Sequence, residues 1–480
     1  MRKRLLALAT ALVLACSLVP GFALAVDRNG EPVSVAIEIN EDGAPVGTSG
    51  AGWTYRKNGS GVFELALESG YAFTLTGHAF GASGGNRILN SGIIVDGVFN
   101  ARLDNYGVIE GGEFNESVYN ESRGEGAGTI AGGTFEGDVV NSEACTVSGG
   151  VFNDGGNSVT NNGTVSGGEF NVAVNNSGTI EGVGVFNAYV QNGYARFDAD
   201  KNKSCTVAGG TFNEELDNFG TIEGGTFNGK ITSRGIIAGG TFSSTGSVTS
   251  NDEETTTGGG TISGGIFACP VTSGDADPDG NVAAITGGTF QKAVTNFGVI
   301  EGGFFALPIV IGEGGTVSAG TFPVHTALAG LSIAEANAEL VASFEKDSAD
   351  ANRFTLKADE GYELPDAIAV SLGSADGPKL AAGTDYDYDA ATGAIAVKKG
   401  AASGPLFIVA SGVPSIEPAE PVPSGPTEPE SPERQPSPSS AKPLAATDDH
   451  ALPQVVGTVA LLAGTVLAAS AAACRKRRSR

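Results

Sequence analysis

The chain has 480 residues, a formal net charge of −26 and 73 glycines, but one tryptophan and one methionine. The acidic excess argues against nucleic acid as a partner, because phosphate binding depends on clustered lysine and arginine. So much glycine with so few large side chains predicts a core built by repetition rather than a mixed aliphatic interior.

The N-terminus has the order of a secretory signal peptide. Arg2, Lys3 and Arg4 precede an apolar run that ends at Val19, and small residues follow at Ala23 and Ala25. The run is shorter than the roughly 20 residues that a membrane span needs. We therefore expect export, with residues 1–25 removed by cleavage after Ala25.

Residues 26–88 lack the repeat that follows and alternate polar with apolar residues, as in Val33–Ile39 and Phe63–Leu67. Such alternation predicts half-buried strands. A solenoid needs a cover over its first coil, so we interpret 26–88 as an N-terminal β cap. Trp53 and Tyr55 there either belong to its core or form a platform that stacks on sugars.

Residues 89–323 repeat a phrase whose clearest copy is NFGTIEGGTFN at 218–228. Aliphatic residues stand five before and four after its Phe, and Gly-Gly and Asn-x-Gly between them tolerate the positive φ of tight corners. The period predicts stacked β coils about 4.8 Å apart. Their shared core would contain a Phe ladder that includes Phe114, Phe135, Phe152, Phe170, Phe212, Phe227, Phe242, Phe290 and Phe305.

One coil position carries an asparagine in many copies, which predicts an amide ladder along a corner. Its members are Asn120, Asn141, Asn176, Asn192, Asn218 and Asn296. In the copy around Phe186, one extra residue breaks the spacing.

The phrase resembles the Gly-Gly-x-aliphatic and Phe-x-x-Asn repeats of polymorphic outer-membrane adhesins. It is also similar to the looser repeats of filamentous surface adhesins and pectate-lyase-like β-helices. This resemblance implies an all-β fold with a parallel β-helix, or β-solenoid, that winds right-handed. Asn usually follows the Phe directly here, which departs from the adhesin pattern.

Insertions after Val190, Thr245 and Phe267 interrupt the repeat. One contains Asp275, Asp277 and Asp279 followed by Gly280, and carboxylates at alternate positions suit Ca²⁺. This stretch resembles the opening of an EF-hand loop, but Thr286 stands where that family has its closing Glu. We expect no cofactor and a solvated acidic loop here, and the alternative is a loose Ca²⁺ site.

After Phe322, the sequence predicts a helical stretch over 327–343 and strands from Phe354 onward. Segments such as GYELP at 361–365 and LFIVA at 406–410 resemble a small all-β module common in Gram-positive surface proteins. We therefore treat 324–412 as a small β-rich module for spacing or display.

Residues 413–450 are rich in proline, which favours an extended stalk with a reach of roughly 90 Å. The uncharged run at 451–474, followed by the basic tail 475–480, predicts a transmembrane helix with the tail in the cytoplasm. Between stalk and helix, a short motif resembles the sorting signal that sortases cleave after Thr, with Asp where Gly is usual. It consists of Leu444, Ala445, Ala446, Thr447 and Asp448.

The same features resemble a Gram-positive, actinobacterial-type surface protein, anchored either in the plasma membrane by its helix or in the wall through sortase and peptidoglycan. Three scattered histidines do not predict a catalytic or zinc cluster. We expect no enzyme but an adhesin or display protein for a host or glycan ligand. The alternatives are a carbohydrate-active β-helix enzyme, with Glu110, Glu181, Glu223 and Glu301 on one face, and a structural wall component.

Three cysteines should reach the exterior, Cys145, Cys205 and Cys269. The first two share a coil position but lie three coils apart, about 14 Å, which is too far for a disulfide.

Overall fold

The computed structural model describes residues 30–81, 85–124, 126–155, 157–194, 202, 204–250, 260–274, 283–334, 341–345 and 352–415. The predicted cleavage site at Ala23 and Ala25, the acidic loop with Asp275, Asp277 and Asp279, the sorting motif at 444–448, and the predicted span and tail lie outside these residues. Within them, no helix has the length and apolar character needed to cross a bilayer.

The protein is all-β, and its repeats form coils that stack in parallel and in register. Each coil contributes three short strands, which we name by their inward residues: an aliphatic face, a Phe face and an Asn face. One coil, for example, consists of Thr164–Val165, Glu169–Phe170 and Ala173–Asn176. Its residues pair one to one with those of the coils before and after it.

The faces comprise nearly all strands up to Ala329. The aliphatic face contains Val33–Ile39, Tyr71–Gly77, Ile93–Asp96, Val108–Ile109, Thr129–Ile130, Thr146–Val147, Thr164–Val165, Thr179–Ile180, Thr206–Val207, Thr221–Ile222, Ile236–Ile237, Thr261–Ile262 and Ala284–Ile285. The Phe face contains Val98–Phe99, Glu113–Phe114, Thr134–Phe135, Val151–Phe152, Glu169–Phe170, Val185–Phe186, Thr211–Phe212, Thr226–Phe227, Thr241–Phe242, Ile266–Phe267 and Thr289–Phe290, and both faces share Val299–Phe305 and Thr316–Ala329.

The Asn face forms a separate sheet. It contains Ser49–Gly50, Trp53–Lys57, Phe63–Leu67, Arg87–Asn90, Arg102–Asn105, Val118–Asn120, Val139–Asn141, Ser158–Asn161, Ala173–Asn176, Val190–Asn192, Leu216–Asn218, Lys230–Ser233, Ser247–Ser250, Val271–Ser273, Val294–Asn296 and Val310–Ile311.

The Phe rings form one continuous stack from Phe99 to Phe305. Successive ring centroids lie 4.5 to 4.9 Å apart, and no two neighbouring planes differ by more than 11°. These rings are at most 1% exposed. The stack ends at Phe322, whose ring is tilted by 34° at 5.8 Å from Phe305. Burial of each side chain stabilises the core by roughly 1.5–3 kcal/mol.

The Gly-Gly pair turns the chain between the aliphatic and Phe faces, and its two glycines are required for different reasons. A Cβ at Gly132 would overlap the carbonyl oxygen of Glu110 in the preceding coil, whereas Gly133 has a φ of +101°. The glycine of Asn-x-Gly differs from the expectation, because it lacks a positive φ. At Gly178, a Cβ would instead overlap the carbonyl oxygen of Gly163.

The extra residue before Phe186 leaves the ladder intact. Val183 is 83% exposed, so the additional residue bulges into solvent. Phe186 keeps its place, 4.7 Å from Phe170 and 4.6 Å from Phe212.

Parallel stacking begins before the repeat is visible in the sequence. Val33–Ile39 pairs in parallel with Tyr71–Gly77, which pairs in parallel with Ile93–Asp96. Residues 26–88 therefore include the first coils as well as a cover. The cover is antiparallel, because Trp53–Lys57 pairs in that sense with Phe63–Leu67 and with the edge strand Ser49–Gly50. So short an edge offers little backbone for another chain to pair with.

The prediction of a helix over 327–343 is wrong for the residues of this range that the structure describes, because all of them lie in or beside strands. Thr316–Ala329 leaves the solenoid and pairs in parallel with Leu406–Ser411, and strand pairing across the sheet overrides local helix propensity. The remaining strands are Leu331–Ile333, Val341–Ser343, Arg353–Ala358, Tyr362–Glu363, Ala369–Leu372, Tyr386–Asp389, Ala394–Val397, Leu406–Ser411 and Val413–Pro414.

The Phe stack predicts a large cost for removing one ring from its middle. Phe170→Ala should lower the free energy of unfolding by about 3–5 kcal/mol, because it creates a cavity between two stacked rings. Phe63→Ala is the control, since Phe63 is 42% exposed. Denaturant unfolding measures both, and equal losses would contradict the ladder.

Candidate ligand-binding surface

The carboxylates considered for catalysis do not converge. Glu110, Glu181, Glu223 and Glu301 are exposed and point outward from their coils. Among the described residues, no group of three or more histidine, cysteine or acidic side chains is placed to hold a metal ion. The geometry of these four residues fits a solvated face.

Trp53 belongs to the core, because its side chain is 6% exposed. Tyr55 is half-buried and stacks on Phe63 with 5.3 Å between centroids, and Lys57 lies 5.4 Å from the same ring. A platform of Trp53 and Tyr55 is therefore not available to a sugar.

All three long insertions leave the solenoid at one corner, which lies between the Asn face and the aliphatic face of the next coil. In most coils two residues make this turn, such as Phe219 and Gly220 between Leu216–Asn218 and Thr221–Ile222. In the three coils with long insertions, the inserted residues follow Asn192, Ser250 and Ser273, a few residues after the positions read from the sequence. We call this edge the insertion corner.

A fourth insertion at the same corner was not anticipated from the sequence. After Asn120 the chain forms an antiparallel hairpin, Ser122–Arg123 with Gly126–Ala127. At the other two corners the chain varies by only a few residues. The strands that flank these four insertions therefore meet at the same corner of the stack.

Beside the hairpin, the outer surface of the Asn face carries a charged and aromatic group that we call the arginine cluster. Asp104 is fully buried and forms ion pairs with Arg87 and, at 2.9 Å, with the Arg102 Nε. The guanidinium of Arg102 lies 4.0 Å from the ring centroid of Tyr119. Two guanidinium groups against one carboxylate give this cluster a net positive charge within an acidic protein.

A neighbouring set extends the cluster onto the insertion corner. The Tyr106 hydroxyl donates to Glu121 Oε2 at 2.9 Å, and the Arg123 guanidinium lies 5.6 Å from the Tyr106 ring. Burial, together with the hydrogen bond to Glu121, raises the pKa of Tyr106. The phenol therefore stays neutral and available as a hydrogen-bonding group at ordinary pH.

A second group lies further along the same face, and we call it the Tyr189 cluster. The Tyr189 hydroxyl donates to Asp217 Oδ2 at 3.0 Å, and Lys230 forms a 2.8 Å ion pair with Glu215. Burial and the nearby Asp217 carboxylate raise the pKa of Tyr189. At the adjoining corner, the Arg234 guanidinium lies 5.3 Å from the Phe219 ring.

Mostly neutral side chains line the outer surface between the two clusters, with an exposed Asp138 carboxylate that accepts a hydrogen bond from the Ser158 N–H at 2.9 Å. Thr160, Asn175 and Gln191 occupy equivalent positions in successive coils and are at least partly exposed. Ser158 and Ala173 pair beside them. Amides, hydroxyls and small side chains thus form a neutral strip that runs from the coil of Thr160 to that of Gln191.

The sequence analysis did not predict the outward residues of this strip and of both clusters, although the alternation along each third strand indicates which residues point outward. On each third strand, the aliphatic residue and the Asn point inward, so the residue between them must point outward. Asp104, Tyr119 and Asp217 all occupy that position.

The three described thiols are buried. Cys145 and Cys205 are fully buried and three coils apart, as expected from their spacing. Burial raises the pKa of all three described thiols, that of Cys269 to about 11. Because the thiolate is the nucleophile, these groups are poorly suited to redox or catalytic chemistry.

Searches of protein-family models, of curated proteins and of solved structures found no match to this chain.

Proposed function

We propose that the protein is a cell-surface adhesin or display protein that binds a host or glycan ligand without turning it over. The observation that carries this proposal is the clustering of variation on one side of a uniform scaffold. The long insertions leave from one corner, and the arginine and Tyr189 clusters lie on the face that leads into it. Loops on a rigid scaffold are where binding usually resides.

The chemistry of this surface favours a glycan. Partly exposed tyrosines present flat apolar rings with a polar end, and arginine adds donors in a fixed geometry. The neutral strip supplies amide and hydroxyl groups that donate and accept hydrogen bonds. The net positive charge of the arginine cluster would also attract an acidic sugar to an otherwise anionic protein.

A screen of the purified protein against glycan and host-protein arrays tests this role. For the ligand it identifies, Tyr119→Ala and Tyr189→Ala should each weaken binding about tenfold, which corresponds to roughly 1.4 kcal/mol. Thr164→Ala is the control, because Thr164 lies on the outer surface of the aliphatic face.

Equal losses in all three variants, with each fold intact by circular dichroism, would reject this surface. Release of reducing or unsaturated sugars would reject a purely binding role and favour a carbohydrate-active enzyme. A lack of both binding and turnover, together with an envelope defect on deletion, would favour a structural wall component.

We propose further that a signal peptide exports the chain and that its C-terminus anchors it. The Pro-rich stalk would lift the solenoid, with its predicted right-handed winding, from the membrane. The apolar run at 451–474 supports a membrane anchor, and the motif at 444–448 supports wall attachment. If sortase cleaves after Thr447, muramidase alone should release the protein from cells. Release by detergent but not by muramidase would assign the anchor to the helix.

Ca²⁺ binding by Asp275, Asp277 and Asp279 is a separate proposal, supported by their alternate spacing. Calorimetric titration with Ca²⁺ should give saturable heat that Asp277→Asn reduces. Titration without heat would reject the site.

A further inference from the structure

The inner corner beside the Asn face contains a continuous ladder of buried amides. Each Nδ2 donates to the Oδ1 of the next coil at 2.7 to 2.8 Å. Asn176, for example, donates to Asn192 Oδ1 at 2.7 Å and to the carbonyl oxygens of Gly178 and Thr206. The ladder consists of Asn90, Asn105, Asn120, Asn141, Asn161, Asn176, Asn192 and Asn218.

Serine replaces asparagine in the next three coils. Asn218 Nδ2 still reaches Ser233 Oγ at 3.0 Å. Beyond it, Ser250 Oγ, Ser273 Oγ and Asn296 Oδ1 find no hydrogen-bond partner within the part of the chain that the structure describes. All three residues are fully buried. The ladder is therefore interrupted over consecutive coils of the same corner.

The length of the side chain explains the interruption. A carboxamide has its donor at one end and its acceptor at the other, so with one hydrogen bond it spans the coil spacing of about 4.8 Å. A serine hydroxyl has no such length. In-register Oγ atoms lie about one coil spacing apart, beyond the 3.2 Å at which a hydrogen bond is still strong. Asn296 Oδ1 faces Ser273, which has no amide to donate.

A water molecule between successive coils would supply the missing hydrogen bonds. An unsatisfied buried polar group lowers stability by about 1–3 kcal/mol. Three such groups in consecutive coils would therefore strongly destabilise this region. A water molecule donates and accepts, and two hydrogen bonds of about 2.8 Å span the coil spacing. Each water would meet hydroxyl or amide oxygens above and below and the carbonyl oxygens that asparagine amides contact elsewhere, which gives it the two to four partners that buried water requires.

We propose that the inner corner from Ser233 to Asn296 is a binding site for a file of water molecules, one between each successive pair of these four side chains. The side chains that line it are neutral. A cation would therefore be buried among them without a counter-charge, which disfavours an ion relative to water. Each water thus links two successive coils by hydrogen bonds, as the asparagine amides do in the earlier coils.

A crystal structure of the protein tests the file directly. It should show ordered water between Ser233 and Ser250, between Ser250 and Ser273, and between Ser273 and Asn296. The triple variant Ser233→Asn, Ser250→Asn, Ser273→Asn should lack these waters. Its Tm should rise by about 2–4 °C or more, because amides then occupy the same space and complete the ladder.

Two matched variants control the interpretation. Thr249→Asn adds an amide to the outer surface beside Ser250 and should leave the Tm unchanged. Asn176→Ser opens a gap in the regular ladder, so it should gain a water and lower the Tm. The proposal is overturned if the serine gaps show no density, if they show an ion with its coordination shell, or if the triple variant loses stability through overpacking.

Discussion

The coil spacing of about 4.8 Å, set by backbone pairing, is the constraint on which the rest of this structure depends. In-register parallel stacking brings each side chain directly against its equivalent in the next coil. Only residues that interact well with copies of themselves suit such a column. Phenylalanine meets this requirement with rings 4.5 to 4.9 Å apart, and asparagine meets it with 2.7 to 2.8 Å hydrogen bonds.

The same constraint explains the composition. Neighbouring coils approach so closely at the corners that a Cβ at Gly132 or Gly178 would overlap a backbone oxygen of the previous coil. Glycine is therefore required by contact as well as by conformation. The outer residues escape this restriction because they face solvent, and the insertion corner accepts additional residues in four coils. Variation in length and charge collects there, and there we place the proposed binding function.

The inward columns could be predicted from sequence because they repeat. The period of Phe170 and its equivalents, with aliphatic residues at fixed offsets, indicated parallel stacked coils, and the recurrence of Asn141 and Asn176 indicated the amide ladder that the hydrogen bonds confirm. The early coils around Tyr71–Gly77 could not be recognised, because they share the pairing but not the phrase. The C-terminal part of the strand Thr316–Ala329 was also not predicted, because its partner Leu406–Ser411 is distant in sequence. The arginine cluster depends on contacts between coils, which one phrase read alone does not contain.

Distances between spin labels on the aliphatic face test the stacking most directly. Thr129, Thr221 and Thr316 hold equivalent outward positions, Thr221 five coils and Thr316 ten coils from Thr129. With a label replacing Thr129 and one of the other two, stacking predicts separations of about 24 Å and 48 Å between the labelled backbone positions. Separations far from these two values, or a longer distance that is not about twice the shorter one, would contradict the stacked coils.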